Sequence, residues 1–368
     1  MFRNPMKKIL FSATALVAVV SLVLAGCGDD NDSEGADSSD KPLIVVTTNI
    51  LGDVVTNMVG DSFDVETIMP PGSDPHDFQA SAQQVQMMMS ADLLIVNGAN
   101  FEEGMLDVIE NAESDGVMIF EATSVISQLE GSDDHSDHGG HDDHDDHEGH
   151  DDHDDHEGHD DHDEEKDHDD HEGHGHDEEK DHDDHEGHDH GGIDPHFFTD
   201  PARMAIVAQE LSEVLAANFP DADQGFVSTA NDYVQQLQDL DSEVEETLSV
   251  ISSDKRLLVT NHGVFAYFAD RYSFTILGEI IPSSSTLASA SAQQLASLAE
   301  EIKESQVKAI FADASSSDAL AQTLADEVND VKVINLYTES LGDPGSSGDS
   351  YIDMIRFNAE AIASALVE

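Results

Sequence analysis

The segment LIVVTTNILGDVVTNMVGDSFDVETIM, residues 43–69, indicates the architecture of this chain. It opens with the apolar run Leu43–Val46, continues with a helix-like stretch, Ile50–Val59, and closes on a second strand candidate around Val65–Met69. Two short apolar runs separated by a helical stretch are typical of a βαβ unit, whose strands are parallel. We therefore expect an α/β protein built on parallel sheets.

The same alternation continues beyond this segment. Leu93–Val96 and Val117–Phe120 are further strand candidates, and a helical segment around Met105–Ile109 lies between them. Together these elements predict an N-terminal α/β lobe over residues 42–130, to which residues 193–222 return after an insertion.

A long amphipathic helix follows. After a helical stretch at Arg203–Asn218, the segment from about Asp223 to Val250 repeats apolar residues at spacings of three, four or seven. The residues on this shared helical face are Phe226, Tyr233, Leu237, Leu240, Val244 and Leu248. We assign a linking helix to residues 223–252, because a helix of this length can span two lobes.

Residues 253–368 repeat the α/β rhythm and predict a C-terminal lobe. The strand candidates are Leu257–Thr260, Phe274–Ile281, Val307–Phe311 and Val331–Leu336. The helix candidates are Val264–Arg271, Ala292–Glu304, Ser317–Val328 and Tyr351–Val367.

Residues 1–27 have the features of an export signal. Basic residues near the start precede an apolar run from Ile9 to Leu24, and LAGC at 24–27 resembles the bacterial lipoprotein box. A transmembrane helix is the alternative, but the run is shorter than the ~20 residues of a usual span. We expect lipidation at Cys27 and a flexible tether over residues 28–41. The protein would then be membrane-anchored outside the cytoplasm, in the periplasm or on the outer face of the cell membrane.

Composition restricts the partners of this chain. The formal charge is −66, from 80 acidic and 14 basic side chains. Such a field repels nucleic acid and anionic membrane surfaces and attracts cations. Cys27 is the only cysteine, so a disulfide within the chain and cysteine metal ligation are excluded. Any metal must therefore be held by histidine and carboxylate.

Residues 131–192 form a low-complexity segment of His, Asp, Glu and Gly that contains 18 of the 21 histidines. A segment with almost no apolar residue cannot bury a core, so we expect it to be disordered. Our hypothesis is that it collects Zn²⁺ weakly at many positions. The alternative is a solvated segment without a role.

Three histidines lie outside that segment: His76, His196 and His262. Each follows a predicted strand or lies in a proline-flanked turn, and open α/β sheets place their ligands at the carboxyl ends of strands. One such histidine is more often a cap or a surface group, but the shared placement of all three predicts that they converge. Zn²⁺ takes imidazole ligands in tetrahedral geometry. Glu339, three residues after Leu336, or a water molecule would supply the fourth ligand.

These loops resemble the ligand motifs of the zinc/manganese-type solute-binding lipoproteins of bacterial ABC transporters, the ZnuA, TroA and AdcA type. PPGSDPHDF at 70–78, DPHFFTDP at 194–201 and TNHGVFAYF at 260–268 resemble the first three motifs. YTESLG at 337–342 resembles the stretch that bears the fourth, acidic ligand, where relatives place Asp, Glu or a water. The resemblance covers residues 42–368.

The resemblance implies two Rossmann-like lobes joined by one long helix, with the metal in the cleft between them. It also implies a monomeric, non-enzymatic protein that delivers its metal to a membrane permease. Three imidazoles and one carboxylate favour Zn²⁺, whereas Mn²⁺ prefers more oxygen ligands. Relatives thought to carry manganese commonly have a carboxylate at the position of His262.

Three alternatives stay open at this point. The chain could be a manganese-binding transporter component. It could be a zinc metallohydrolase, with an activated water as fourth ligand and Asp74, Asp77 or Asp313 as general base. It could also be a surface metal buffer or adhesin.

Overall fold

The structure, a computed structural model, describes residues 41–131 and 192–367. The predicted signal peptide, Cys27, nearly all of the tether and the His/Asp-rich segment lie outside the described residues, so the predictions made for them stay predictions. Within the described ranges, no helix is both long enough and apolar enough to cross a membrane.

In the described part of the chain, the N-terminal lobe contains a parallel four-stranded sheet. Its strands are β1 (Leu43–Val46), β2 (Asp64–Thr67), β3 (Leu93–Val96) and β4 (Ile119–Glu121), in the order β2-β1-β3-β4. Its helices are α1 (Asn49–Val59), α2 (Ala82–Met89) and α3 (Leu106–Ser114). All of β3 and most of β1 are buried, which explains why both strands are continuous apolar runs.

Helix α2 is an element that the sequence analysis did not predict. Its start is encoded by a capping box, in which the Ser81 side chain accepts from the backbone of Gln84 and the Gln84 side chain accepts from the backbone of Ser81. Along this helix Met88 is the buried residue. The apolar periodicity that usually reveals a helix is therefore weak here.

Two helices, α4 (Pro201–Asn218) and α5 (Phe226–Leu248), follow the N-terminal sheet. The Asp200 side chain caps α4 by accepting from the backbone N–H of Ala202 at 2.9 Å, and Pro201 occupies a position where no N–H is needed. All six apolar residues predicted to share a face of the long helix are buried.

The C-terminal lobe, as described, has a second parallel sheet with the same topology. Its strands are β5 (Leu257–Thr260), β6 (Thr275–Glu279), β7 (Ala309–Asp313) and β8 (Lys332–Leu336), in the order β6-β5-β7-β8. Its helices are α6 (Ala266–Tyr272), α7 (Ala292–Ser305), α8 (Ala319–Val328) and α9 (Tyr351–Val367). The predicted α/β class is confirmed.

Strand β7 begins two residues later than predicted. Gln306 ends α7 in a left-handed conformation with φ 56°, so Val307 belongs to the connection and not to the strand. The pairing of β7 with β8 then runs from Ala309 to Asp313.

The two lobes share a continuous apolar interior. One cluster of buried side chains includes Val46 on β1, Leu237 on α5, Leu258 on β5 and Ile355 on α9. Helix α5 packs against α1 of the first lobe and α9 of the second. Wide separation of the lobes would expose this interior to water, and packing therefore opposes it.

Candidate metal centre

The four side chains predicted as metal ligands lie together between the two lobes. His262 lies two residues after β5 and Glu339 three residues after β8, while His76 and His196 lie on loops of the N-terminal lobe. One ligand atom of each side chain lies within 4.8 Å of the others. All four residues are buried, with at most 2% of their surface exposed.

The ligand atoms surround one carboxylate oxygen. Oε1 of Glu339 lies 2.8 Å from Nε2 of His76, 3.1 Å from Nε2 of His262 and 3.2 Å from Nε2 of His196. A tetrahedral Zn²⁺ with bonds of 2.0–2.1 Å needs ligand atoms ~3.3 Å apart. The three oxygen–nitrogen distances are close to this spacing, and all four ligand atoms lie near enough together to surround one ion.

The two histidines of the N-terminal lobe occur in the same tripeptide, Asp-Pro-His. In each, an oxygen of the aspartate accepts from the backbone N–H of the histidine two residues later, at 2.9 Å for Asp74 and His76 and 2.8 Å for Asp194 and His196. This local turn is a common use of aspartate, and proline fixes the backbone between the two residues. The tripeptide thus restricts the backbone in the same way at both histidines.

Both imidazoles also have a carboxylate behind the ring. Nδ1 of His76 lies 2.9 Å from Oε1 of Glu103, and Nδ1 of His196 lies 2.8 Å from Oδ1 of Asp194. A proton on Nδ1 that is donated to a carboxylate leaves the Nε2 lone pair free for a metal and makes the ring a stronger ligand.

His262 is held differently. Among the described residues, neither of its ring nitrogens has an assigned hydrogen bond, although Nε2 lies 3.1 Å from Oε1 of Glu339. The backbone is fixed instead: the Thr260 hydroxyl donates to His262 O at 3.0 Å, and Gly263 N donates to Ser283 O at 2.9 Å. Packing against His196, with ring centroids 5.6 Å apart, completes its support.

The charges of the site are strongly coupled. Burial alone would raise the pKa of Glu339, but the three imidazoles hold it well below its usual range. Burial lowers the pKa of His76, yet hydrogen bonds to Glu103 and Glu339 outweigh burial and raise it to about 10. Burial opposes charge on His196 as well, and Asp194 and Glu339 raise its pKa. Protons and a metal cation therefore compete for the same nitrogens.

Two asparagines, one directly after β3 and one at the start of α1, hold the loops that carry the predicted ligands, and the sequence analysis missed both. Asn97, directly after β3, donates to Pro195 O at 2.9 Å and so ties the His196 loop to the sheet. Asn49, at the start of α1, donates to Ser340 Oγ at 2.9 Å and accepts from Leu341 N at 2.8 Å. The chain directly after Glu339 is thereby clamped to the opposite lobe. No local sequence signal marks either asparagine, since the partners are distant in sequence.

Two of the three carboxylates considered as general bases, Asp74 and Asp313, have hydrogen-bond partners. Asp77 is exposed. Asp74 accepts from His76 N and from the hydroxyl of Thr286. Asp313 accepts from the backbone and hydroxyl of Ser315 at 3.0 and 2.6 Å, and burial together with the charge of Glu339 raises its pKa. Asp74 and Asp313 therefore already accept hydrogen bonds from neighbouring groups.

Comparison with known proteins finds relatives that are all named for metal uptake or metal binding. The family model ZnuA, described as zinc-uptake complex component A, periplasmic, matches residues 44–365. The manganese ABC transporter substrate-binding lipoprotein PsaA of Streptococcus anginosus is 25% identical over 98% of this chain and 99% of its own length. The manganese-binding lipoprotein MntA of Halalkalibacterium halodurans is 24% identical, with 98% of this chain and 99% of its own length covered.

Solved structures show the same fold. The periplasmic zinc-binding protein TroA of Treponema pallidum superposes with a TM-score of 0.66 at 24% identity, covering 89% of this chain and 99% of its own. A manganese-bound periplasmic metal-binding protein of Candidatus Liberibacter asiaticus has a TM-score of 0.66 at 20% identity, covering 89% of this chain and 100% of its own. The two-lobed α/β architecture is therefore common to this chain and both proteins.

Proposed function

Since this chain belongs to the ZnuA family and is the metal substrate-binding protein of an ABC transporter, we propose that its cargo is Zn²⁺, captured outside the cytoplasm for delivery to a membrane permease. The observation that carries the proposal is the convergence of His76, His196 and His262 on Oε1 of Glu339, at 2.8 to 3.2 Å. These four side chains are the proposed ligands.

The donor set supports zinc over manganese. Three imidazole nitrogens and one carboxylate oxygen suit Zn²⁺, whereas Mn²⁺ favours oxygen-rich sites of higher coordination number. The affinity order of divalent metals also places Zn²⁺ well above Mn²⁺ at a nitrogen-rich site. Manganese is the second candidate, because the relatives PsaA and MntA are named for it.

Burial of the site supports transport over catalysis. A catalytic zinc keeps one coordination position open for water or substrate. Here the protein itself can supply a fourth ligand, and Glu339 is 2% exposed. Each lobe contributes two of the four side chains, which is the arrangement that encloses a cargo between them.

Several further features belong to the same proposal. Lipidation at Cys27 would anchor a monomer at the membrane, with residues 28–41 as tether, and the His/Asp-rich segment would collect Zn²⁺ near the site. The described residues on either side of that segment meet: Glu130 and Ile193 form an antiparallel bridge, and Gly131 N donates to Gly192 O at 2.8 Å. Asp194, which orients His196, follows two residues after Gly192.

This geometry makes a clean deletion possible. Removal of residues 133–190 leaves Ser132 and Gly191 as a two-residue loop between paired backbones, a length that suits a tight hairpin turn. The shortened chain, purified with excess Zn²⁺ and Mn²⁺ and then dialysed, should retain one zinc per chain by elemental analysis.

The matched control is His262→Ala in the same shortened chain, which should retain none. Retention of one manganese in place of zinc would contradict the zinc assignment. Equal zinc retention by the control would contradict the proposed ligand set.

A further inference from the structure

A loop of the C-terminal lobe reaches the residues that hold His76. It comprises residues 282–291, between β6 and α7, and we call it the serine loop. Thr286 Oγ1 donates to Asp74 Oδ2 at 2.8 Å. The other oxygen of Asp74, Oδ1, accepts from the backbone N–H of His76 at 2.9 Å. Asp74 thus connects the backbone of one proposed ligand to the opposite lobe.

The second carboxylate beside His76 faces the same loop. Oε1 of Glu103 lies 2.9 Å from Nδ1 of His76, and the Ser285 hydroxyl also hydrogen-bonds this carboxylate. Both carboxylates that orient His76 therefore have a partner on the serine loop.

The start of the serine loop is joined to another proposed ligand. Ser283 O accepts from Gly263 N at 2.9 Å, and Gly263 directly follows His262. The loop consequently runs from the His262 segment of its own lobe to the His76 segment of the other lobe.

The contact of the serine loop with the N-terminal lobe is less well packed than the other contacts between the lobes that are described above. None of residues 282–291 is buried, and Leu287 is 56% exposed. By contrast, Asn49 and Ser340, which clamp the Glu339 segment, are 6% and 2% exposed and lie beside the shared core. Segments with few buried contacts open at a lower free-energy cost than packed ones. The serine loop can therefore open while the core between the lobes stays closed.

We propose that Thr286 is a positioning residue that sets how long the metal stays in the site, an inference that rests on the function proposed above. While its hydroxyl holds Asp74, the His76 segment and the serine loop stay closed over the ion. When that hydrogen bond breaks, the backbone of His76 loses its support from the C-terminal lobe and release begins.

The test compares zinc release from full-length variants. Zinc-loaded protein is mixed with excess chelator in a stopped-flow instrument, and the phase that belongs to the tight site is identified by its loss in His262→Ala. Thr286→Val removes the hydroxyl at nearly constant volume and should accelerate this phase by roughly ten- to a hundred-and-fiftyfold, the scale of one hydrogen bond to a carboxylate. Thr286→Ser keeps the hydroxyl and should restore slow release.

Thr323→Val is the matched control, because Thr323 is exposed on α8 and its hydroxyl donates to Ala319 O at 2.8 Å, in the helix itself. It should leave release unchanged. A general loss of stability would lower the melting temperature of metal-free protein without the selective change in release rate. In the double variant with Asp74→Asn, the effect of Thr286→Val should shrink.

Two results would overturn the inference in different ways. Tight zinc binding with equal release rates in wild-type and Thr286→Val protein would refute the role of Thr286 and leave the proposed function intact. Absence of a tight zinc phase from the wild-type chain would refute the proposed function and the role of Thr286 with it.

Discussion

The two lobes support their histidines in different ways. In the N-terminal lobe, His76 and His196 each have a carboxylate behind the ring, Glu103 at 2.9 Å and Asp194 at 2.8 Å. In the C-terminal lobe, Nδ1 of His262 has no hydrogen-bond partner in the part of the chain that the structure describes. The N-terminal imidazoles are thus oriented by charge, whereas His262 is oriented by its backbone and by packing.

This difference has a consequence for metal capture. A carboxylate behind an imidazole fixes its tautomer and increases its basicity, so the N-terminal pair is prepared for a cation and also for protons. His262 lacks that support. In the C-terminal lobe, the negative charge beside the imidazoles comes from Glu339. We infer that the N-terminal lobe contributes the stronger nitrogen ligands and the C-terminal lobe completes the coordination sphere.

The largest expected effect on zinc affinity comes from replacing Glu339, whose Oε1 lies beside the histidines of both lobes. Glu339→Gln replaces the only proposed anionic ligand, and since structural zinc binding is worth about 10–16 kcal/mol over four ligands, affinity should fall roughly a hundredfold or more. Competition with a chelator of known affinity measures the loss. Glu327→Gln, on the exposed face of α8, is the same change away from the site and should have no effect. Equal affinities of the two variants would remove Glu339 from the ligand set.

A smaller effect should follow from removing the supporting carboxylates. Substitutions behind a metal-binding histidine typically cost about 10–100-fold in affinity. Asp194→Asn should lie at the upper end and Glu103→Gln at the lower end, because the Asp194 side chain is 1% exposed and that of Glu103 is 32% exposed. Asp194 also accepts from the backbone of His196, which Glu103 does not do for His76. The reverse ranking would show that burial of the supporting carboxylate does not determine how much it contributes to zinc affinity.

The number of protons released when zinc binds should also reflect the difference between the histidines of the two lobes. The pKa of His76 is raised to about 10 and that of His196 is also raised, so at pH 7.5 the metal-free site holds protons that zinc must displace. Affinity should therefore fall as the pH is lowered, by up to about tenfold per pH unit for each displaced proton.

Calorimetry of the chain lacking residues 133–190, in buffers of different ionisation enthalpy, measures how many protons are released when one zinc ion binds. We expect at least one proton per zinc, and fewer in Asp194→Asn. A value of zero would mean that the nitrogens are already unprotonated.

The smallest effect is expected where no supporting carboxylate exists. Thr260→Val removes the hydroxyl that donates to His262 O. The free energy of unfolding should fall by about 1 kcal/mol, as for one lost neutral hydrogen bond, while zinc affinity changes less than about threefold. Urea unfolding and chelator competition separate the two quantities. A tenfold loss of affinity would show that the backbone of His262 matters as much as the carboxylates of the other lobe.

Much of the fold was predictable because its signals are local. The apolar runs of β1 and β3 and the helical period from Phe226 to Leu248 each depend on neighbouring residues. Helix α2 was missed because Met88 alone is buried there and the capping box of Ser81 was the main signal. The start of β7 was misplaced because α7 ends at a left-handed Gln306, and glutamine, unlike glycine, does not indicate a left-handed helix end in the sequence.

The ligand set illustrates the boundary between local and long-range information. Residue chemistry and strand ends predicted His76, His196, His262 and Glu339 as ligands, and the structure brings these four side chains together. The Asp-Pro-His turns are local structures that depend on neighbouring residues only. The pairing of Asn49 with Ser340 and of Thr286 with Asp74 joins residues 291 and 212 positions apart. Such contacts arise when two lobes pack around a shared core, because the distance between remote side chains is determined by that packing and not by their neighbours in sequence.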